Sequence, residues 1–159
     1  MKKLNIGCGE DIKEGWDNVD IQKSKKLTKS FDFNKFPYPY KNNIYDEVEA
    51  RQVLQLFDYP EKVLHELHRI TKKKGTIKVT VSHYNNKGSH NDIKTKFYFN
   101  ENSFKLFEEW NQEKFKIIKL ELEPTWIGRL FIFEWLRKTL NLFISGLYSH
   151  IIVEFQVLK

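Results

Sequence analysis

The sequence predicts an α/β fold with a largely parallel sheet. Three observations predict it: short β-type runs alternate with helix-type stretches, a glycine bend directly follows the first run, and an acid closes the second. Leu4-Asn5-Ile6 is the first strand and ends at Gly7. Trp16 to Ile21 is the second and carries Asp20 near its end. Nine residues separate Ile6 from Trp16. A return helix rising about 1.5 Å per residue needs about eleven to retrace a strand of about 17 Å. The first crossover is therefore expected to be a loop with at most a helical turn at Glu10 to Lys13, leaving that face of the sheet thinly covered.

Tyr45 to Ala50 forms a strand after the polar turn Lys41-Asn42-Asn43. A helix follows, with Pro60 in its first turn and Val63, Leu64, Leu67 and Ile70 as its buried stripe; Lys72-Lys73-Lys74-Gly75 is expected to close it. Thr76 to Ser82 is the cleanest strand, because Ile77, Val79 and Val81 alternate with polar residues. A second helix is expected over Glu101 to Trp110, capped by Asn100 or Asn102. Phe115 to Leu122 reads as a strand, Trp126 to Leu147 as a wide apolar helix, and Ile151 to Leu158 as the closing strand.

At 159 residues the chain is expected to be one domain. One cysteine excludes an internal disulfide and a Cys-based zinc site, and the expected compartment is the reducing cytoplasm. The +6 charge, from 27 Lys+Arg against 21 Asp+Glu, permits a nucleic-acid partner without favouring one, since the lysines cluster only at Lys23 to Lys29 and Lys72 to Lys74. Trp126 to Leu147 carries Arg129, Glu134, Arg137 and Lys138, so no membrane span is expected. In the expected helix, Phe133, Leu136, Leu140, Phe143, Ile144 and Leu147 share one face, which would cover the sheet, a ligand, a second subunit or a bilayer surface.

The chemical signals lie where strands end. Glycines at Gly7-Cys8-Gly9 allow positive φ and close backbone approach to a ligand. The run continues Glu10-Asp11, two acids that would repel a pyrophosphate, so dinucleotides are disfavoured. A carboxylate at Asp20 can accept both hydroxyls of a ribose. Asp32 can accept from an adenine amino group while Phe33 covers the ring. Together they describe an adenosine site without a phosphate cradle.

These residues resemble a known family. Leu4-Asn5-Ile6-Gly7-Cys8-Gly9 followed by Gly15-Trp16-Asp17-Asn18-Val19-Asp20-Ile21 is similar to the opening of compact class I S-adenosylmethionine-dependent methyltransferases of the type 11 group. The resemblance continues through Phe36-Pro37-Tyr38-Pro39, Tyr45-Asp46-Glu47-Val48 and Val53-Leu54 to Lys73-Lys74-Gly75-Thr76-Ile77. It implies a Rossmann-like three-layer sandwich around a seven-stranded sheet in order 3-2-1-4-5-7-6, strand seven antiparallel, here with a truncated first crossover helix. Residues 1–82 would form the cofactor half and residues 83–159 the acceptor half.

The resemblance also implies S-adenosylmethionine as cofactor, S-adenosylhomocysteine as product, and site residues. Asn5, Gly7, Cys8 and Gly9 would line the methionine and ribose portion. Asp20 would hold the ribose, Ile21 would pack on adenine, and Asp32 and Phe33 would complete the adenine site. Arg51 and Gln52 follow the fourth strand near the methionine end; Gln55-Leu56 stands where the family carries Glu-His. His83 and Asp92 match a subgroup pattern, with His83 as candidate base. No metal site is expected. The activity implied is methylation of an oxygen or nitrogen on a small molecule or glycan precursor. The alternatives are a nucleic-acid methyltransferase and a non-catalytic module that binds cofactor or a partner; the apolar helix could also make an oligomer or peripheral membrane contact.

Overall fold

A computed structural model describes residues 1–159. Its seven strands are β1 (Lys3–Ile6), β2 (Asp17–Asp20), β3 (Lys29–Ser30), β4 (Tyr45–Arg51), β5 (Thr71–Ser82), β6 (Phe115–Pro124) and β7 (Tyr148–Val157). They form one sheet in the order β3-β2-β1-β4-β5-β7-β6, and β7 runs antiparallel to both β5 and β6. The helices are α1 (Pro60–Ile70), α2 (Glu101–Trp110) and α3 (Glu134–Leu140).

Side-chain alternation divides the sheet into two unlike faces. Leu4, Ile6, Val48, Ala50, Ile77, Val79, Val153 and Phe155 are fully buried on one face, under Val63, Leu64, Leu67 and Ile70 of α1 and Phe104 of α2. On the other face one ladder row reads Asn18, Asn5, Glu49, Lys78, Glu154, Lys119, strand by strand from β2 to β6. No helix covers that row. The third layer of the expected sandwich is represented there by loops, above all residues 7–16, which contain no helical turn.

This loop is fastened by two buried asparagines. Asn5 Nδ2 donates to the Asp11 carbonyl at 2.7 Å and to Asn18 Oδ1 at 3.1 Å. Asn18 accepts from the Lys13 amide at 3.0 Å and donates to the carbonyls of Lys13 and Trp16. The Trp16 ring has Lys3 Nζ at 4.9 Å and Lys13 Nζ at 4.8 Å from its centroid, and those lysines ion-pair with Glu47 and Glu49. Cation-π and ionic contacts thus shield a sheet face that has little apolar surface to bury.

Two expectations about elements are corrected. Helix α1 ends at Ile70, because Thr71 turns extended (φ −84°, ψ 142°) while its hydroxyl donates to the Leu67 carbonyl at 2.7 Å. Lys72 to Lys74 therefore belong to the start of β5, where the pairing with β4 shifts register, Lys74 has φ 63° and Lys72 pairs with Asp46 at 2.8 Å. The helix expected over Trp126 to Leu147 is only the seven residues of α3. The chain is pinched at Gly128, where a Cβ would lie 2.0 Å from the Leu147 carbonyl oxygen, and it turns again at Gly146 with φ 81°. Helical periodicity without a surface to bury against does not hold a helix together. Asn100, not Asn102, caps α2, in a reciprocal pair with Ser103.

Candidate functional site

The carboxyl ends of β1, β2 and β4 open onto a cavity of about 750 Å³. Gly7, Gly9, Asp20, Ile21, Asp32, Phe33 and Gln52 line it. Residues far apart in sequence meet there because β1 lies between β2 and β4, which is the switch point where open parallel sheets hold ligands. Asn5, Cys8 and Arg51 face a neighbouring recess of about 220 Å³ that shares Gly7 and Gln52 with the main cavity.

The glycine bend is required by geometry. At Gly7, φ is 63° and a Cβ would sit 2.3 Å from Val53 Cγ2, so any side chain would both strain the backbone and strike the opposite wall. Gly9 has φ 51° with open space around its Cα. Its amide donates to Asp20 Oδ2 at 2.9 Å, while the Gln22 amide donates to Asp20 Oδ1 at 3.0 Å. Each carboxylate oxygen retains a free lone pair, so Asp20 both fixes the bend and can accept from a ligand hydroxyl. Asp32 accepts from the Asn34 amide at 3.0 Å through one oxygen and leaves the other without a protein donor.

The cavity floor is aromatic. Phe33 is buried and meets Phe31 edge-on at 4.8 Å and Phe57 at 5.5 Å. The segment behind it is held by Arg69, whose guanidinium donates to the carbonyls of Tyr38 and Tyr40 and to Glu66. Burial pushes the Glu66 carboxyl up, but hydrogen bonds from Arg69 and the Tyr38 amide outweigh it and hold the group below its usual range. Val53, Leu56 and Phe57 form an apolar wall, a role that the sequence assigns to none of them, and Lys94 and Lys96 stand on the same cavity. The hydrophobic run after Gln52 was the available signal, although in one dimension it reads as the approach to α1.

Gln52 stands where cavities meet. It has φ 53°, its amide donates to the Thr80 carbonyl at 2.7 Å, and its side chain also borders a polar pocket of about 210 Å³. Gln52 Oε1 accepts from Gln55 Nε2 at 3.1 Å and from the Ser82 hydroxyl at 2.9 Å. Gln52 Nε2 and Gln55 Oε1 are left buried without a protein partner. Ser89, Asp92 and Tyr98 complete this pocket, with the Tyr98 ring stacked on His90 at 4.5 Å. Buried orphan polar atoms are costly unless a ligand or water satisfies them.

His83 lies outside both spaces. It is 1% exposed, between the rings of Tyr84 and Tyr148, with Nδ1 accepting from the Asn85 amide at 3.2 Å and Nε2 3.8 Å from Glu101. Burial lowers its pKa against the opposing pull of Glu101, so the ring is neutral near pH 7. The Cys8 thiol is likewise buried and its pKa is raised, by desolvation first and by Asp20 second, which leaves it protonated. No group of three or more His, Cys, Asp or Glu side chains is arranged to hold a metal ion.

The profile of the methyltransferase domain family matches residues 8–79, which supply most of the cavity's lining. Residues 8–79 thus match that family, and the whole chain shares the fold of solved methyltransferases. A methyltransferase dependent on S-adenosylmethionine from Archaeoglobus fulgidus superposes with a TM-score of 0.74 at 16% identity, over 98% of this chain and 85% of that one. One from Mesorhizobium loti gives 0.69 at 10% identity, over 98% and 90%. The cyclase SpnF shares the fold as well, at 0.65 and 13% identity, over 98% and 73%. Among curated proteins none matches the sequence. At these identities the structural likeness speaks for the methyltransferase fold, which by itself does not specify the reaction.

Proposed function

We propose that this methyltransferase domain binds S-adenosylmethionine at the rim of β1, β2 and β4 and directs its methyl group to an oxygen or nitrogen of a small molecule or glycan precursor. The observation that carries the proposal is Asp20: its carboxylate is pinned by the Gly9 amide and faces the same cavity as Asp32 and Phe33. Those residues fit an adenosine, with lone pairs for ribose hydroxyls at Asp20, a free carboxylate oxygen for an amino group at Asp32, and an aromatic floor. When bound, the cofactor supplies an electrophilic methyl on sulfur.

The protein's contribution is position. In-line displacement is accelerated mainly by holding donor and acceptor close and aligned. Gln52, shared by the cofactor cavity and the polar pocket, is the residue across which the two would meet. An acceptor hydroxyl or amine would lie in that pocket, among Gln52, Gln55, Ser82 and Asp92. Asp92, on that pocket, is the carboxylate we assign to the acceptor's proton. We assign His83 to positioning, because it is enclosed, faces Glu101, and holds the loop that carries Ser89 and Asp92.

Calorimetry tests this directly. S-adenosylhomocysteine should bind with measurable heat, and Asp20→Ala should weaken it by about tenfold or more, the expected loss for hydrogen bonds to a charged group. Absence of heat from the unaltered protein at millimolar ligand would remove the proposal. With a methyl acceptor in hand, Asp92→Asn should lower kcat while cofactor affinity stays constant.

A further inference from the structure

We infer that the segment from Trp126 to Ile144 is an interfacial anchor that rests this domain on an anionic lipid bilayer, beside the polar pocket. Between the ends of β6 and β7 the chain leaves the sheet and returns to it, with the Thr125 amide bonded to the Leu147 carbonyl at 3.0 Å. The excursion has almost no core of its own. No residue of α3 is buried, and Trp126, Leu130, Ile132, Phe133, Trp135 and Phe143 are 62–84% exposed. Single exposed apolar side chains are ordinary; a run of them with two tryptophans marks a surface that something covers.

Charge decides between the occupants. Within this segment Arg129, Arg137 and Lys138 outnumber Glu134, and Glu134 is already paired with Lys138 at 2.6 Å. A second copy packed isologously would set this positive excess against itself. An anionic headgroup layer complements it, and tryptophan beside arginine and lysine over an apolar face suits a bilayer interface. No helix is long and apolar enough to cross a membrane, so the contact is with the surface.

The anchor is joined to the polar pocket. Asn85 Nδ2 donates to the Asn141 carbonyl at 2.9 Å and the Gly146 amide donates to the Asn85 carbonyl at 2.8 Å, tying the segment to the loop whose Gly88, Ser89 and Asp92 line that pocket. The same loop carries Ile93, 99% exposed, between the exposed Lys87 and Lys94. A bilayer under this rim would meet the pocket's edge.

Co-sedimentation with vesicles tests the inference independently of cofactor binding. The full chain should sediment with vesicles of phosphatidylcholine mixed with phosphatidylglycerol, and much less with phosphatidylcholine alone. The double variant Trp126→Ala with Trp135→Ala should lose about tenfold or more of that affinity, and Arg129→Glu several-fold, both keeping the thermal unfolding of the parent. Equal sedimentation of parent and variants would overturn the inference, as would none with the anionic vesicles. So would a concentration-dependent dimer in light scattering that the double tryptophan variant abolishes, since a second copy would then be the occupant. Calorimetry with S-adenosylhomocysteine on the same samples separates this from the cofactor proposal, which survives a failure with vesicles.

Discussion

The two faces of the sheet are built on opposite principles. Under α1 and α2, side chains such as Leu67, Ile77, Val79, Phe104 and Phe155 are sealed from water, each contributing about 1.5–3 kcal/mol by burial. Across the same strands, Asn5, Glu49, Lys78 and Glu154 form a polar row that loops and Trp16 only partly shade. Parallel sheets ordinarily bury both faces and read as continuous apolar runs. Here the strands alternate, so one helical layer suffices and the chain can omit helices from its first crossovers. The candidate cofactor cavity loses nothing by this, because it is built at the strand ends, and the loop that carries it is secured by hydrogen bonds instead of helix packing.

The two faces should respond differently to substitution. Leu67→Ala and Phe104→Ala on the covered face should each cost about 3–5 kcal/mol in denaturant unfolding, and a loss below about 1 kcal/mol would mean that face is not the core. Glu66→Gln, which removes the charge that pairs with Arg69 and accepts from the Tyr38 amide, should cost about 1.5–3 kcal/mol at neutral pH. Because the folded carboxyl lies below its unfolded value, its stabilisation is complete above the unfolded pKa of about 4.3 and is lost as pH falls through the folded one. The gap between parent and variant should therefore close in acid; a gap that persisted unchanged would assign the effect to packing.

Asn5→Ala sharpens the contrast, because Asn5 lies on the open face yet is 1% exposed. Removing its amide leaves Asn18 and the Asp11 carbonyl short of a donor, and about 1–3 kcal/mol should be lost. If Asn5→Ala proved neutral, hydrogen bonding would not be what secures the first crossover. Lys78→Ala, in the same row but partly exposed, should stay within about 0.5 kcal/mol of the parent in the same unfolding measurement.

Much of this was legible in one dimension. The alternation of Ile77, Val79 and Val81 with Thr76, Lys78 and Thr80 states which side of β5 is dry, and the nine residues after Ile6 leave no room for a return helix. The apolar period from Phe133 to Leu147 misled, because a helical period without a burying partner is also compatible with a pinched loop. Lys72 to Lys74 misled for a related reason: basic residues suit a helix end, but Thr71 had already turned the chain into a strand.

What the sequence determined by itself, then, is local: strand and helix periods, a bend that needs glycine, and acids at strand ends whose convergence follows from parallel pairing. The tertiary structure alone decided which cavity each side chain meets. It enclosed His83 between Tyr84, Tyr148 and Glu101, placed Gln52 and Gln55 as an unpaired donor and acceptor at a junction, and left Trp126 and Trp135 uncovered. Periodicity is written within a few residues of the chain. Orientation toward a cavity depends on contacts between residues dozens of positions apart, which no short window contains.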